Sequence, residues 1–577
     1  MEFLKKYVII ILYENKRGEK MAELLTSIGN IFIFAARLVL PVLCFLLIFS
    51  IVKDLFKKQG KVTLAKLVTA NGLDFAITNE ESTIGRSKIC DVILNIPSIS
   101  RRHAVITYTA DYGFKISSVF DSEILVNDTL IDGFAYFDFG DIIEIGGLQL
   151  KLIPAEVVDI SSTSKPKKRG VLPAVLLTVI QLIILTELII HFAPDFKIYL
   201  LISFAVLILG EWIYYSFHGF KDNVNIETLG FFLTTFGFAV AATKDPDNMT
   251  KQIITAVLGV VLFSILQFIY KRMDFVIKLR YVAGILAVLL LGYNLVFGLT
   301  INGAKNWVRI GSFSFQPSEI VKFLFIFATA ATLQRLLSKR NFILFLGLSG
   351  ACMGSLVLMR DFGTCSIFFV TVLIILFMRS GNIKVISIIT GSVALAAFFV
   401  AKYVPYVQRR FANYRHVWDN AYDVGWQQTQ TMIAIASGAL FGVGAGNGKL
   451  KYVSASDTDL VFGIICEEFG MIVAFCAISC FVIFALYSLS KIPFTNSAYF
   501  AIAACSAAGL WIFQISLNIF GSTDLLPLTG VTLPFISNGG SSMLSSWLLL
   551  SFIKALGKNV IKEPAEYYED YGEEQLQ

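Results

Sequence analysis

Four acidic residues stand close together between strongly apolar stretches of this sequence. Asp457 and Asp459 come just before an apolar segment that begins near residue 460, and Glu467 and Glu468 lie within it. A carboxylate in such a place can act as a general base or bind a divalent cation. Helix capping would account for one aspartate. It does not account for the glutamates, so we treat ionisable groups at membrane depth as functional candidates.

The spacing of these acids predicts different roles for them. Asp457 and Asp459 are close enough in the chain to share a metal ion, or for Asp457 to raise the pKa of Asp459 by charge repulsion. Glu467 and Glu468 lie about 12–14 Å beyond Asp459 along a helix. That depth is too great for direct attack on a substrate held at Asp459, and we expect structural or conformational roles for both glutamates.

Further polar segments rich in glycine or proline interrupt the apolar runs. Glu319 and Lys322 form an i, i+3 pair on one helix face, where they could neutralise each other inside a helix bundle. Residues 539–542 open a helix, either as a close-packing or capping device or as a set of backbone N–H groups for an anion. The polar segments are 302–307, 316–322, 360–364 and 527–542.

The bulk composition is that of an integral membrane protein. Of the 577 residues, 56% are hydrophobic and only 16% are charged, and the mean hydropathy is +0.71. The net charge of +6 reflects cations clustered between apolar runs, which is the positive-inside pattern and does not indicate nucleic-acid binding. The eight cysteines and four histidines show neither disulfide spacing nor a histidine metal cluster.

Thirteen apolar runs are long enough to cross a bilayer as helices. Cationic segments between them mark the cytoplasmic ends, and the segment that holds Asp457 and Asp459 then faces outside. The predicted spans are 24–52, 171–193, 196–218, 226–243, 251–270, 279–300, 319–337, 341–359, 363–379, 383–403, 460–489, 497–520 and 533–556. The cationic segments are 53–61, 271–280, 335–340 and 379–384, and the outer segments are 302–318, 404–458 and 521–532.

Residues 1–20 conflict with this orientation, because their lysines and arginines would have to cross the membrane. We therefore hypothesise that translation of the natural protein begins at Met21. N-terminal sequencing or the intact mass of the native protein would test this, and a chain that begins at Met1 would contradict it.

Residues 61–155 change to short alternating strands with turn signals, which predicts a soluble all-β domain between the first two spans. The domain carries, in order, Gly85-Arg86, then Ser-Ile-Ser-Arg-Arg-His-Ala at 98–104, Val126-Asn127 and Gly140-Asp141. This ordered set resembles a forkhead-associated (FHA) domain, a cytoplasmic β-sandwich that binds phosphothreonine peptides.

The resemblance implies which residues of this domain would bind a phosphothreonine-bearing protein. Arg86, Ser100 and Arg101 would contact the phosphate, because a dianion requires arginine forks and hydroxyl or backbone donors. His103 would brace the loop from behind. Extra acids at 121–128 leave a second interpretation open, in which the domain serves only for docking.

The motifs of the later membrane region together resemble the SEDS family of cell-wall proteins, which includes RodA, FtsW and a sporulation relative. The resemblance covers about 224–560, and it implies a ten-helix glycosyltransferase in the bacterial cytoplasmic membrane that polymerises lipid II at the outer face. A class B penicillin-binding protein is the usual transpeptidase partner. The motifs, in family order, are Asn302-Gly303-Ala304 with Trp307, Gln316-Pro317-Ser318-Glu319 with Lys322, Asp361 with Gly363-Thr364, the Gln-rich start of 426–430, Thr458-Asp459 with Glu467-Glu468, and 533–542.

By this resemblance Asp459 aligns with the family's essential aspartate. A sugar hydroxyl is a poor nucleophile, so Asp459 is the expected general base, or else a ligand, with Asp457, for Mg²⁺ or Mn²⁺. Lys322 with Glu319 is favoured for binding the pyrophosphate. The other cations on the outer side are Arg309, Arg409, Arg410, Lys449 and Lys451. The expected substrate-binding residues are Lys322, Glu319, Gln316, Trp307, Gln427, Gln430, Ser541 and Ser542.

The sequence therefore predicts a multi-pass α-helical membrane protein of about thirteen transmembrane helices, with a ten-helix core and an inserted cytoplasmic FHA sandwich. Two other functions remain open, a lipid-linked precursor transporter and a catalytically idle scaffold that recruits phosphoproteins. The predicted units are an N-terminal segment with the first helix (1–60), the FHA domain (61–155), a basic linker (156–170), two additional helices (171–220), the glycosyltransferase core (221–560) and an acidic cytoplasmic tail (561–577).

Overall fold

A computed structural model describes most of the chain, and the predicted basic linker and acidic tail lie outside the described residues. The described residues are 2–56, 64–77, 81–87, 90–109, 113–119, 122–154, 171–192, 198–218, 224–246, 249–301, 303–311, 313–334, 339–381, 383–492, 495 and 497–558. The helices are α1 (Glu2–Leu55), α2 (Leu172–His191), α3 (Ile198–His218), α4 (Asn225–Lys244), α5 (Met249–Ile269), α6 (Met273–Phe297), α7 (Pro317–Leu333), α8 (Lys339–Leu358), α9 (Phe362–Ser380), α10 (Ile383–Tyr403), α11 (Pro405–Asn413), α12 (Trp426–Gly438), α13 (Val461–Lys491), α14 (Ala498–Ser522) and α15 (Gly540–Lys558).

Within the described residues, a helix occupies each of the thirteen predicted spans, and eleven of these helices are long and apolar enough to cross a membrane. The other two, α7 and α15, are 17 and 19 residues long. Both are enclosed by protein, since α7 packs on α6, α14 and α15, and α15 packs on α4, α5 and α14. Because helices rather than lipid surround them, α7 and α15 can carry serine, glycine and charged side chains.

Several predicted boundaries were wrong. The span predicted at 533–556 begins as a helix only at Gly540, because 533–539 form a turn. α7 starts at Pro317, where a missing N–H costs nothing. α1 extends back to Glu2. The outer segments treated as loops contain α11, α12 and two short strands, β13 (Ala304–Ile310) and β14 (Phe313–Phe315). These two strands form one antiparallel sheet with β12 (Leu299–Ile301).

The β-domain consists of two sheets that enclose one hydrophobic core, as the FHA resemblance predicts. The first sheet has the strand order β2-β1-β11-β10-β7-β8 and the second β4-β3-β5-β6-β9. The strands are β1 (Ala65–Thr69), β2 (Asp74–Ile77), β3 (Glu81–Gly85), β4 (Val92–Ile93), β5 (Ala104–Thr109), β6 (Gly113–Ser118), β7 (Ile124–Val126), β8 (Thr129–Leu130), β9 (Phe134–Phe137), β10 (Ile142–Ile145) and β11 (Leu148–Pro154).

The three helices that precede the core pack against it rather than standing apart. α1 contacts α2 and α13, α2 contacts α4, and α3 contacts α4 and α5. The β-domain, which lies between α1 and α2 in the sequence, reaches the membrane core through Glu81, whose carboxylate lies 3.6 Å from the guanidinium of Arg379 at the end of α9.

α13 is interrupted at Gly470, whose φ of 86° and ψ of 163° are not helical. A Cβ at this position would lie 2.3 Å from the carbonyl oxygen of Leu440, so only glycine fits. The backbone N–H of Met471 donates to the carbonyl of Ala439 (3.0 Å) instead of to a helical partner. The segment 439–444 therefore fills the break and satisfies backbone groups that the interrupted helix leaves free.

Candidate active site

A cavity of about 600 Å³ opens where the β12–β14 sheet, the start of α9, α11 and the turn before α15 meet. Three of the predicted site residues line it: Asp459, Trp307 and Gln316. Its other polar lining residues are Asn306, Ser314, Arg360, Asp361, Ser366, Arg410, Thr458, Thr529 and Thr532.

The backbone around Asp459 is held at three successive carbonyl groups. Each of these carbonyls accepts a hydrogen bond from a different residue of α14 or of the turn before α15, so the loop has little freedom to move. The bonds run from Asn538 N to Asp457 O (2.8 Å), from Ser537 Oγ to Thr458 O (2.6 Å) and from Asn518 Nδ2 to Asp459 O (2.9 Å).

The Asp459 carboxylate points toward Gly530, where a Cβ would lie 3.2 Å from its Oδ2 atom. Burial raises the pKa of Asp459 to about 6; a hydrogen bond from Thr458 and the charge of Arg410 oppose this shift, and repulsion from Asp457 adds least to it. Leu460 is the N-cap of α13 and provides no side-chain cap. Asp459 is therefore a buried carboxyl group of raised pKa that lines the cavity and does not cap α13.

Asp361 forms a second polar group in the lining of the cavity. Its Oδ1 accepts from the backbone N–H of Thr364 (3.0 Å) and so caps α9. Its Oδ2 accepts from the side-chain amides of Asn306 (3.1 Å) and Gln316 (3.4 Å). These hydrogen bonds engage both oxygens of the Asp361 carboxylate and hold the side-chain amides of Asn306 and Gln316 in place. Trp307 lines the same cavity.

Lys322 and Glu319 do not line the cavity. Their side chains are almost fully buried, and the Lys322 ammonium lies 2.8 Å from Glu319 Oε1 and 2.9 Å from Gln514 Oε1. Thr532, which does line the cavity, donates to Glu319 (3.3 Å) and also contacts the Ser542 hydroxyl (3.0 Å). The predicted neutralising pair is confirmed, and it supports the cavity wall from behind.

The remaining predicted site residues also lie outside the cavity lining. Ser541 Oγ accepts from the backbone N–H of Gln316 (3.3 Å), which ties α15 to the cavity wall. Gln427 donates to the carbonyl of Ser454 (3.0 Å) on the loop that leads to Asp459. Gln430 is half-buried on α12, outside the set of lining residues.

Arg410 is the cation that the structure places near the base. It lies on α11, lines the cavity beside Asp459, and donates to the carbonyl of Leu528. The sequence offered a signal for it, since α11 carries two adjacent arginines, Arg409 and Arg410, after a proline. Nothing in the sequence shows that the helix folds back over the turn at 527–530.

Glu467 and Glu468 have structural roles, as predicted. They bind a segment that we call the glycine loop, residues 442–450. Glu467 accepts from the backbone N–H groups of Lys449 and Leu450 (both 2.9 Å), and Glu468 Oε2 accepts from that of Gly446 (3.0 Å). The two buried carboxylates thus hold irregular backbone within the helix bundle.

Asp457 and Asp459, which we expect to share any divalent cation, have different surroundings in the structure. Asp457 Oδ2 accepts from the Asn538 side chain (3.0 Å), and Asp457 is absent from the cavity lining. Among the residues that the structure describes, no group of three or more acidic, cysteine or histidine side chains is arranged to hold a metal ion. A cation at Asp459 would therefore depend on substrate oxygens and water for its other ligands, an arrangement that Mg²⁺ accepts.

In the β-domain, the two loops that carry the predicted phosphate contacts are joined through their backbones. The N–H of Arg86 donates to the carbonyl of Ser100 (3.0 Å). A Cβ at Gly85 would lie 2.5 Å from the Arg101 carbonyl oxygen, so glycine permits this close approach. Arg86, Ser100 and Arg101 are all exposed on the same side of the β3–β5 pair.

His103 braces these loops from inside the domain, as predicted. The side chain is only 5% exposed. Its Nδ1 accepts from the backbone N–H of Ser100 (3.2 Å), and its Nε2 lies 3.0 Å from the carbonyl of Glu123. A neutral imidazole protonated at Nε2 satisfies both partners.

The fold and site define a multi-pass membrane protein with a polar cavity in its helical core and an inserted β-sandwich. A family model described as "Cell cycle protein" (FtsW, RodA, SpoVE) matches residues 224–560, and an FHA domain model matches residues 82–146. The chain therefore belongs to the FtsW/RodA/SpoVE family and carries an FHA domain, which confirms both resemblances.

The curated relatives agree with this assignment. The probable peptidoglycan glycosyltransferase FtsW of Coxiella burnetii is 34% identical over 269 residues, which cover 45% of this chain and 72% of the relative. The probable peptidoglycan glycosyltransferase FtsW of Buchnera aphidicola subsp. Schizaphis graminum is 32% identical over 304 residues, which cover 51% of this chain and 86% of the relative. A chain from work on "structural coordination of polymerization and crosslinking by a peptidoglycan synthase complex" has 24% identity, covers 58% of this chain and 96% of its own length, and has a TM-score of 0.49.

Proposed function

We propose that this protein is a peptidoglycan glycosyltransferase that polymerises lipid II at the outer face of the cytoplasmic membrane. The observation that carries the proposal is the carboxylate of Asp459, held on a fixed loop in a cavity of about 600 Å³ that also contains Arg410. The names of the relatives and the family membership support the same activity.

In this mechanism Asp459 takes the proton from the 4-hydroxyl of the acceptor GlcNAc. The freed oxygen attacks the anomeric carbon of the donor MurNAc, a C–O bond forms with inversion, and the bond to undecaprenyl pyrophosphate breaks. A pyrophosphate leaves as a stable anion, so a second carboxylic acid is not required. Arg410 supplies positive charge near the developing anion, and Trp307 and Gln316 are proposed to bind the sugars.

A divalent cation, Mg²⁺ or Mn²⁺, is compatible with this site. Asp459 is the residue that would hold it, together with phosphate oxygens of the donor, while Asp457 is engaged by Asn538. When bound, such an ion would neutralise charge on the leaving pyrophosphate.

The sidedness of the protein is also a proposal, and α9 supports it. Asp361 at the start of α9 lines the cavity, and Arg379 in its last turn contacts Glu81 of the FHA domain. A helix of 19 residues is about 28 Å long, close to the thickness of the bilayer core. The FHA domain and the cavity therefore lie at opposite ends of a membrane-spanning helix, with the FHA domain on the cytoplasmic side.

The activity is tested with purified full-length protein, fluorescent lipid II and a class B penicillin-binding protein as the proposed partner. Glycan strands of increasing length are expected. Movement of lipid II across vesicle membranes without polymer would instead identify a transporter, and neither polymer nor transport with any partner or cation would leave only the scaffold function.

The polymerisation rate is expected to depend on pH through Asp459. A base works only when deprotonated, and its pKa is about 6, so kcat/KM is expected to be constant at neutral pH and to fall by about tenfold per pH unit in acid. Because the charge of Arg410 lowers the pKa of Asp459, Arg410→Gln is expected to move the midpoint to higher pH. A rate that stays constant through the acid range would rule out Asp459 as the titrating base.

We propose that the FHA domain binds a phosphothreonine protein that localises or regulates the transferase. Arg86→Ala is expected to weaken binding of a phosphothreonine peptide by about 10- to 100-fold, because a charge-assisted hydrogen bond to the phosphate is lost. Isothermal titration of a phosphopeptide library against the full-length protein measures this. Thr129→Ala, an exposed change on β8, is the control. Equal affinity for the unphosphorylated peptides would indicate a docking domain that does not read phosphate.

A further inference from the structure

The second helix, α2, contacts the loop that leads to Asp459, although it lies before the region matched by the family model. Glu187 on α2 is 1% exposed, and its Oε2 accepts from the backbone N–H of Ala445 in the glycine loop (3.1 Å). One turn further along α2, His191 Nδ1 lies 2.9 Å from Asn447 Oδ1. The imidazole ring packs so closely that a Cβ at Gly446 would lie 2.7 Å from it.

Three buried carboxylates therefore hold the glycine loop. Glu467 and Glu468 belong to α13 of the core, and Glu187 comes from outside it. Each accepts hydrogen bonds from backbone N–H groups of this loop. Inside a helix bundle the Ala445 N–H has no water to replace Glu187, so the position of the loop depends on α2.

The glycine loop is connected to Asp459 by a short, firmly held segment. The ammonium of Lys244 on α4 donates to the carbonyl of Lys451 (2.5 Å) and to that of Val453 (3.1 Å). The backbone N–H of Asp459 then donates to the carbonyl of Ala455 (2.9 Å). Because these hydrogen bonds restrain the backbone between the glycine loop and Asp459, a displacement of the loop is expected to move Asp459 as well.

We propose that Glu187 is a positioning residue for the base, and that α2 sets the placement of Asp459 through the glycine loop. The inference rests on the proposed role of Asp459 in polymerisation.

Two readouts test the proposal on the full-length protein: steady-state polymerisation of lipid II, and hydrogen exchange of the backbone at 442–459. Glu187→Leu is expected to lower kcat by about tenfold with little change in KM, and to raise exchange in that segment, because the Ala445 N–H loses its acceptor. Glu187→Gln keeps a side-chain oxygen and is expected to retain most of the rate.

The matched control is Glu211→Leu. Glu211 is a fully buried carboxylate of α3 that accepts from Gln181 of α2 (3.0 Å) and does not contact the glycine loop. The Glu211→Leu variant also removes a buried carboxylate from the additional helices. We therefore expect wild-type kcat and wild-type hydrogen exchange of the backbone at 442–459. An effect equal to that of Glu187→Leu would overturn the proposal, since it would show general loosening of these helices.

The outcomes separate this proposal from the function on which it rests. Wild-type kcat and exchange in Glu187→Leu would overturn the positioning role while leaving the transferase intact. If the wild type forms no polymer, the transferase proposal fails, and the exchange data still decide whether Glu187 orders the loop. If Glu187→Leu does not fold, His191→Phe takes its place. Phenylalanine keeps a ring beside Gly446 and removes the hydrogen bond from α2 to Asn447. Unchanged hydrogen exchange at 442–459 in His191→Phe would also overturn the proposal that α2 places the loop.

Discussion

Replacement of Asp459 by asparagine is expected to lower the rate of glycan polymerisation by about 10²- to 10⁴-fold, the usual contribution of a general base. Asparagine has nearly the shape of aspartate but does not take up a proton at neutral pH. The backbone carbonyls of 457–459 bind Asn538, Ser537 and Asn518 independently of the Asp459 side chain, so the loop is expected to keep its position. Gel assays of polymer from fluorescent lipid II measure the loss.

A matched control for this variant is Asp524→Asn. Asp524 follows α14, and its Oδ1 accepts from the backbone N–H of Arg415 (3.1 Å), which an amide oxygen also does. Its φ of 59° suits asparagine as well as aspartate. We expect near wild-type activity for Asp524→Asn and similar melting temperatures for both variants. Substantial polymer from Asp459→Asn would exclude this residue as the base.

Neutralising Lys322 alone, as Lys322→Gln, is expected to destabilise the protein by about 3–5 kcal/mol, because it leaves the buried carboxylate of Glu319 without its partner. The two side chains are 1% and 5% exposed, and their charged atoms lie 2.8 Å apart. The loss is measured as a lower melting temperature of the detergent-solubilised protein, or as increased sensitivity to denaturant.

The double variant Glu319→Gln with Lys322→Gln separates structure from substrate binding. It removes both charges together and keeps amide groups for Gln514 and Thr532, so most of the lost stability is expected to return. If the pair only supports the cavity wall, the double variant also polymerises lipid II. A stable double variant without activity would instead show that Lys322 acts on the substrate.

Much of the fold follows from patterns that are local in the sequence. Apolar runs predicted helices at all thirteen positions, and alternating strands with glycine turns predicted the FHA sandwich. The boundary at Gly540 was missed although residues 533–539 contain the turn-forming residues Pro534, Asn538 and Gly539. Their turn is stabilised by partners far away in the chain, such as the carbonyls of Asp457 and Thr458.

The site could be predicted only in part, for a related reason. The resemblance to the SEDS family assigned Asp459, Trp307 and Gln316 to one site, and the structure brings all three to the cavity. The sequence could not show whether a cation such as Lys322 faces the cavity or another helix. The direction of the Lys322 side chain depends on the packing of α7 against α14, which brings Gln514 to the Lys322 ammonium.

The contact between Glu187 and Ala445 joins residues 258 positions apart. Periodicity shows that Glu187 lies on a membrane helix, but it does not show which neighbouring helix or loop receives the carboxylate. A buried acid in an apolar helix indicates only that some polar partner exists.

The interruption of α13 at Gly470 also has a consequence for the membrane in which the protein works. A continuous helix tilts as a single rod when the bilayer becomes thicker or thinner. Here the break at Gly470 separates the half at 461–469, next to Asp459, from the longer half that begins at Met471, and both halves are hydrogen-bonded to the segment 439–444. We therefore expect Asp459 to keep its alignment in membranes of different acyl-chain length, such as those of cells that alter their lipids with temperature.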